Sequence, residues 1–289
     1  MTEPAEAGLE VVRSGALTTV QDAGRLGLAH LGVPRSGALD RAAMAHANQL
    51  VGNPSGSAVL ETTLSGVAVR ALRPCAVAVS GAPAPVTLDG RPVPMATRLA
   101  LGAGSVLEVG SALTGLRSYL AVSGGIDVPP VLGSRSTDLL SGLGPPVVRD
   151  GDLVPVGTAA ARPGGIDLVS RPPPADLLVL TVDLGPRDDW FTADALTALV
   201  GQPYRVTSVS NRIALRLDGP RLERAVTHEL PSEGVVLGAV QVPSDGQPLI
   251  FLADHPTTGG YPVVAVVADG DVDRCAQARP GSEVRFCLA

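Results

Sequence analysis

Only seven aromatic side chains serve a chain of 289 residues whose hydrophobic fraction is 45%. Its core must therefore be built from Val, Leu, Ala and Ile, while 34 Gly and 26 Pro cut the apolar runs into short pieces. Branched aliphatic residues in brief runs between Gly and Pro favour short strands over long helices. A chain of this length is expected to form about two domains. It can bury roughly three quarters of its unfolded surface, so neither a disulfide nor a metal is needed to hold it together.

The order of the runs sharpens this expectation. Residues 1–8 read as a disordered leader, and LEVVRSGALTTVQDAG as strand, turn, strand. The segment SGALDRAAMAHANQLVGN predicts a helix over about 37–51, with Ser36 as its N-cap and Gly52-Asn53-Pro54 as its stop. Leu39, Ala43, Ala47 and Leu50 form its apolar stripe, which is narrow enough to press against a sheet. Asp89-Gly90 is a hairpin signal, and Pro92 just after it belongs on an edge strand. Pro243-Ser-Asp-Gly246 marks a second hairpin between apolar runs. A short helix is expected after Thr192, and another around Asp273 to Ala278. The Pro-rich stretch 161–176 reads as a linker. The expectation is mainly β: a lobe over 9–165 with one helix, a barrel lobe over 176–289, two or three short helices in all, and room for strands shared between lobes.

Several chemistries are excluded. All 22 basic residues are Arg. Without Lys there is no Schiff base, no P-loop lysine on nucleotide phosphates, and no attachment point for covalent biotin. The net charge of −6, with no cluster of Arg, argues against nucleic-acid binding. Three cysteines without a Cys-x-x-Cys pair form no disulfide framework, and Cys75 and Cys287 are expected to be core thiols. No metal site is expected from the spacing of the four His. The acidic N-terminus and the lack of a long apolar run lead to the expectation of a cytoplasmic protein with no membrane partner.

Three segments concentrate polar chemistry. Gly133-Ser-Arg-Ser-Thr-Asp138 offers three hydroxyls, the Arg135 guanidinium and turn amides, which suit a carboxylate or phosphate but also an ordinary polar turn. Gln21, Asp22 and Arg25 can form one hydrogen-bonded cluster. Asp254-His-Pro-Thr-Thr-Gly-Gly-Tyr261 places titratable groups, hydroxyls and two glycines together, as a pocket or as a glycine turn with a buried Tyr. Asp254 is the candidate pocket acid. Glu229 and Glu233 are paired carboxylates able to divide acid and base roles, or a solvated loop.

Together, TTVQDAGRLGLAHLGVPRSGALDRAAMAHANQLVGN, GSRSTDL, LGPRDDWF, SNRIALRLDGP and ELPSEGVVLGAVQVPSDGQPLIFLADHPTTGGYPVVAVV occur in the order seen in the allophanate hydrolase subunit 2 family. The chain resembles that biotin-dependent carboxyltransferase-like family, which includes the C subunit of 5-oxoprolinase, from about Leu9 to Phe286. The resemblance implies cyclophilin-like β-barrel lobes and a subunit 1-type partner resembling the B subunit of 5-oxoprolinase. It also implies a third protein resembling the A subunit, with ATP and Mg²⁺ used at the level of the complex. The implied activity is ATP-dependent opening of 5-oxoproline to L-glutamate, by a chain inactive alone. Two alternatives come with it: a carboxyltransferase part of a urea carboxylase, and a non-enzymatic partner of a sporulation-kinase-inhibitor-like protein. Carried onto this sequence, the resemblance implies Asp254 and Glu233 as catalytic groups. For substrate binding it implies Gln21, Asp22, Arg25, Ser134, Arg135, Ser136, Thr137, Asp138, Asn211 and Arg212, together with Gln241, Thr257, Thr258, Gly259, Gly260 and Tyr261. The family usually has Met-Gly after Asn211-Arg212, where this chain has Ile213-Ala214.

Overall fold

A computed structural model describes residues 7–159 and 176–289. Most of the expected leader and nearly all of the Pro-rich stretch lie outside the described residues. Ala7 already opens a strand, Ala7–Arg13. The described chain forms two compact units. Residues 7–25, 40–138 and 142–159 make the first, and 26–39, 139–141 and 176–289 make the second. The second unit thus includes two passages, 26–39 and 139–141, that lie before the Pro-rich stretch in sequence.

The first unit contains two antiparallel sheets around one aliphatic core. The six-stranded sheet runs in the order Leu153–Pro155, Ala7–Arg13, Ala68–Ala71, Val106–Val109, Val86–Leu88, Arg91–Val93. The five-stranded sheet runs Leu17–Gln21, Val59–Thr63, Arg117–Val122, Cys75–Gly81, Leu99–Leu101. Leu9, Val69 and Leu107 from one sheet join Leu60, Val77 and Leu120 from the other in a single buried cluster. Asp89 and Gly90 both have positive φ, 50° and 76°, which is the twist a two-residue hairpin requires. Pro92 then lies on the outermost strand, where its missing N–H costs no ladder bond.

Helix α1 spans Arg41–Val51 and buries Ala43, Met44, Ala47, Leu50 and Val51. Its short side chains bring it against the five-stranded sheet, where the Ser80 hydroxyl donates to the Ala43 carbonyl at 2.6 Å. Strand Arg117–Val122, central in that sheet, is buried at every position. The helix begins four residues later than expected. Asp40 is the cap, accepting from the Ala43 amide at 2.9 Å. Ser36 is drawn into another network, described below.

The second unit closes seven strands into a barrel: Leu177–Leu184, Val263–Val267, Ala239–Gln241, Leu249–Phe251, Ala214–Asp218, Tyr204–Val206 and Glu283–Leu288. The last returns to the first in parallel, with Leu177 opposite Glu283, and the other pairings are antiparallel. Leu180, Val240, Ile250, Val264 and Phe286 fill the interior. Closure leaves no free edge. The turn after Gln241 is the expected one, with the Gly246 amide bonded to the Pro243 carbonyl at 3.0 Å. Helix α2, Ala193–Gly201, is capped by Thr192 as its sequence indicates. Helix α3 spans Asp269–Cys275 rather than 273–278. Acidic Asp269 and Asp271 occupy its first turn, where the helix dipole favours them. Of the cysteines Cys275 is fully buried, Cys75 is partly buried against the aliphatic core of the first unit, and Cys287 is exposed rather than the core thiol expected. Among the described residues no helix is long and apolar enough to cross a membrane.

Candidate functional site

In the second unit, Asp254 follows the barrel strand Leu249–Phe251, and its side chain turns inward with 0% exposure. Arg212, 1% exposed, faces it with a fork: Nε to Oδ2 and Nη2 to Oδ1, both at 2.9 Å. The Ser36 hydroxyl donates to Oδ1 at 2.7 Å and the Leu139 amide to Oδ2 at 3.2 Å. Arg212 Nη2 also donates to the Gly37 carbonyl at 2.7 Å. The pair therefore fastens both excursions, 26–39 and 139–141, to the barrel. A buried ion pair persists only when its remaining lone pairs and protons are met in this way. The sequence makes Asp254 a pocket acid. It has no exposed surface, and both of its oxygens are taken up by Arg212, Ser36 and Leu139. His255 is buried too, its Nδ1 2.6 Å from the Pro256 carbonyl.

The glycine segment that follows is built differently. Glu233–Gly234 pairs with Thr258–Gly259 as a two-residue ribbon. Gly259 packs on the buried Gln241 side chain: a Cβ there would stand 2.5 Å from Gln241 Nε2, so only glycine fits without moving it. That amide nitrogen donates to the Tyr261 carbonyl at 2.9 Å. The Thr257 carbonyl accepts from the Val235 amide at 3.1 Å, Thr258 and Gly260 are exposed, and Tyr261 is 45% exposed. Here the sequence segment does form an accessible polar surface.

Glu233 is joined to Arg187, Nε to Oε2 at 3.1 Å with a second, closer contact from Nη2 to Oε1. The Arg187 hydrogen bond holds the Glu233 carboxyl below the usual carboxylate range. Glu233 does not have the setting of the acid or base expected of it. An ion-paired carboxylate is a poor proton donor, and its geometry is that of a brace for the ribbon. Glu229 is exposed and not drawn into this pairing. Asn211 accepts from the amides of Ile213 and Ala214 at 2.8 and 3.3 Å, making a local turn rather than a ligand contact.

In the first unit, the anion cradle expected at 133–138 exists, but the anion is the chain's own Asp22. Oδ1 accepts from the Ser134 and Ser136 hydroxyls, each at 2.6 Å, and from the Gly24 amide at 2.8 Å. Oδ2 accepts from the Arg135 amide at 2.6 Å. The Arg135 guanidinium points elsewhere, to Asp127 at 2.6 Å and the Val128 carbonyl at 2.7 Å. Gln21 donates to the Thr137 carbonyl at 2.9 Å, and Arg25 to the Ser136 carbonyl at 2.6 Å. Thr137 and Asp138 are buried beside this cluster. Gly144 is required here, since a Cβ would meet the Ser136 carbonyl at 2.0 Å.

Two residues of these networks, Ser36, whose local context is that of a helix cap, and Arg187, escape the sequence reading, as does Arg224, described below. Arg187 is visible in LGPRDDWF, though nothing local pairs it with Glu233. Arg224 carries no motif signal.

Residues 31–288 match the carboxyltransferase domain family, subdomain A and B. The chain belongs to that family. Within it, the chain is similar to the C subunit of 5-oxoprolinase from Escherichia coli (strain K12), 38% identical over 284 residues, 96% of this chain and 90% of that protein. The crystal structure of TTHA0988 superposes with a TM-score of 0.89 at 36% identity, covering 99% of this chain and 56% of that one. The Kluyveromyces lactis urea amidolyase structure gives a TM-score of 0.90 at 29% identity, covering 98% of this chain and 19% of that one. The chain thus spans little more than half of one solved relative and about a fifth of the other.

Proposed function

We propose that this carboxyltransferase-family chain is part of an ATP-dependent 5-oxoprolinase complex, in which 5-oxoproline, ATP and water give L-glutamate, ADP and phosphate. The observation that carries this reading is the extent of the match. The relative from 5-oxoprolinase is paired over 90% of its own length, whereas the urea amidolyases are paired over 17% and 16% of theirs. The name of that relative also marks it as one part of a larger enzyme.

The chemistry gives this chain a binding and orienting part. A lactam carbonyl is a poor electrophile, and ATP supplies activation by phosphorylating its oxygen. The residues present do not suit nucleotide handling by this chain alone: there is no Lys, and among the described residues no three His, Cys, Asp or Glu side chains cluster for a divalent ion. ATP and Mg²⁺ therefore fall to the complex, with partners resembling the A and B subunits of 5-oxoprolinase. The contribution of this chain is the exposed surface of Thr258 and Tyr261, with the buried Gln241 amide behind it. Fixed donors and acceptors there hold a small polar molecule in one orientation. The Asp254–Arg212 pair lies past the Phe251 end of strand Leu249–Phe251, away from the Leu249 end that pairs with Gln241, and fastens the barrel there.

The test is co-purification with the products of adjacent genes, followed by ATP-dependent glutamate formation from 5-oxoproline. A second reading, transfer of a carboxyl group from a biotin carrier, has specific support in the urea amidolyase superposition. Biotin-dependent carboxyl transfer without 5-oxoproline turnover selects it.

A further inference from the structure

Six side chains at one end of the barrel are joined in a ring of contacts. Arg187 pairs with Glu233, and Glu233 lies across the ribbon from Gly259. Gly259 packs on the Gln241 amide, which is bonded to the Tyr261 carbonyl. The Tyr261 ring lies 5.8 Å from the Arg224 guanidinium carbon. The main chain of Arg224 bridges Phe191, next to Trp190, whose ring lies 6.0 Å from the Arg187 guanidinium carbon. The Arg187 amide bonds to the carbonyl of Val263, the ladder partner of Gln241, which closes the ring through the barrel wall.

The two guanidinium groups in this ring differ. Arg187 is neutralised by Glu233. Arg224 has no carboxylate within ion-pair distance among the described residues. Nη2 is held by the Val242 carbonyl, Nε is buried without an acceptor, and among the described residues Nη1 donates to no group. A guanidinium fixed by a backbone carbonyl and an aromatic face, with donors uncommitted, is preorganised for a planar carboxylate. Gln241 complements it. Its Nε2 is committed to Tyr261, which orients the amide, while its Oε1 accepts no hydrogen bond among the described residues and can receive an amide N–H.

We propose that Arg224 binds the carboxylate of a small substrate whose amide N–H is accepted by Gln241, making Arg224 a specificity-determining residue. This rests on the reading above, and 5-oxoproline carries both groups on adjacent ring atoms. Urea, which lacks a carboxylate, would gain nothing from Arg224.

Steady-state kinetics of the assembled complex test this with 5-oxoproline and 2-pyrrolidinone, the same lactam without the carboxylate. Arg224→Gln is expected to raise KM for 5-oxoproline about ten- to a hundredfold, the worth of one charged hydrogen-bonded contact. It should leave kcat near wild type and 2-pyrrolidinone turnover unchanged, and Arg224→Lys should recover part of the loss. An unaltered KM, or an equal loss on both lactams, overturns the proposal. NMR titration of the isolated chain with 5-oxoproline and with N-acetylglycine separates the site from the reaction. Carboxylate binding lost in Arg224→Gln sustains the site even if the complex proves not to be an oxoprolinase. No binding by wild type, or equal binding by the variant, removes the site even if turnover is confirmed.

Discussion

Each unit contains a carboxylate held by donors from distant parts of the chain, and the two are satisfied in opposite ways. Asp22 is met by two hydroxyls and two backbone amides, all neutral. Asp254 is met by the fork of Arg212 and then by Ser36 and Leu139. A neutral cradle spreads its contribution over several modest hydrogen bonds. A buried ion pair concentrates it, because removing either partner strands a charge away from water. The difference means that two clusters resembling binding sites in the sequence are internal fastenings of unequal fragility. The accessible chemistry of the second unit lies elsewhere, on the Thr258 and Tyr261 surface that covers the buried Gln241 amide.

The contrast can be broken most forcefully at Arg212. Arg212→Met should cost about 3–5 kcal/mol, measured by denaturant unfolding followed with probes in the barrel. Combining it with Asp254→Leu should restore much of the loss, since neither charge then remains buried. A cost of Arg212→Met alone below about 1 kcal/mol would show that the pair is not a fastening. Asp22→Ala should cost less, about 1.5–3 kcal/mol, by the same measurement on the first unit. If Asp22→Ala proved the more damaging, the comparison would be reversed.

Smaller effects sharpen the picture at the exposed surface. Gly259→Ala should displace the Gln241 amide from the Tyr261 carbonyl at a cost of about 1 kcal/mol, seen as loss of protection of the Gln241 side-chain amide protons in NMR. The smallest effect is expected for Glu233→Gln, because its ion pair with Arg187 is solvent-accessible and screened by salt. The sign of its pH dependence is fixed. The folded-state pKa of Glu233 is lowered, so its contribution is present at neutral pH and lost as pH falls through that pKa. Stability curves of wild type and Glu233→Gln should converge in acid. Curves that diverge there would contradict the Arg187 pairing.

What was legible in the sequence was local. The Asp89-Gly90 hairpin, the Thr192 cap and the turn before Gly246 each depend on residues a few positions apart, and each formed as read. The start of α1 did not, because Ser36 and Asp40 are both good caps. The choice was made by Asp254, far along the chain, which takes the Ser36 hydroxyl. The segment around Asp254 carries both the buried fork and the exposed ribbon within a few residues. Its inward and outward residues could not be sorted, since the sorting depends on Arg212, Leu139 and Gln241 arriving from elsewhere. Arg224 was invisible for the same reason: its uncommitted donors are a property of the folded surroundings.

A crystal structure of the assembled complex with bound 5-oxoproline would decide most directly between a reacting Asp254 and a fastening one. The expected result is ligand against Arg224, Gln241 and Tyr261, with the Asp254 carboxylate still in the fork of Arg212. Ligand in contact with Asp254, its carboxylate turned away from Arg212, would be the contrary result.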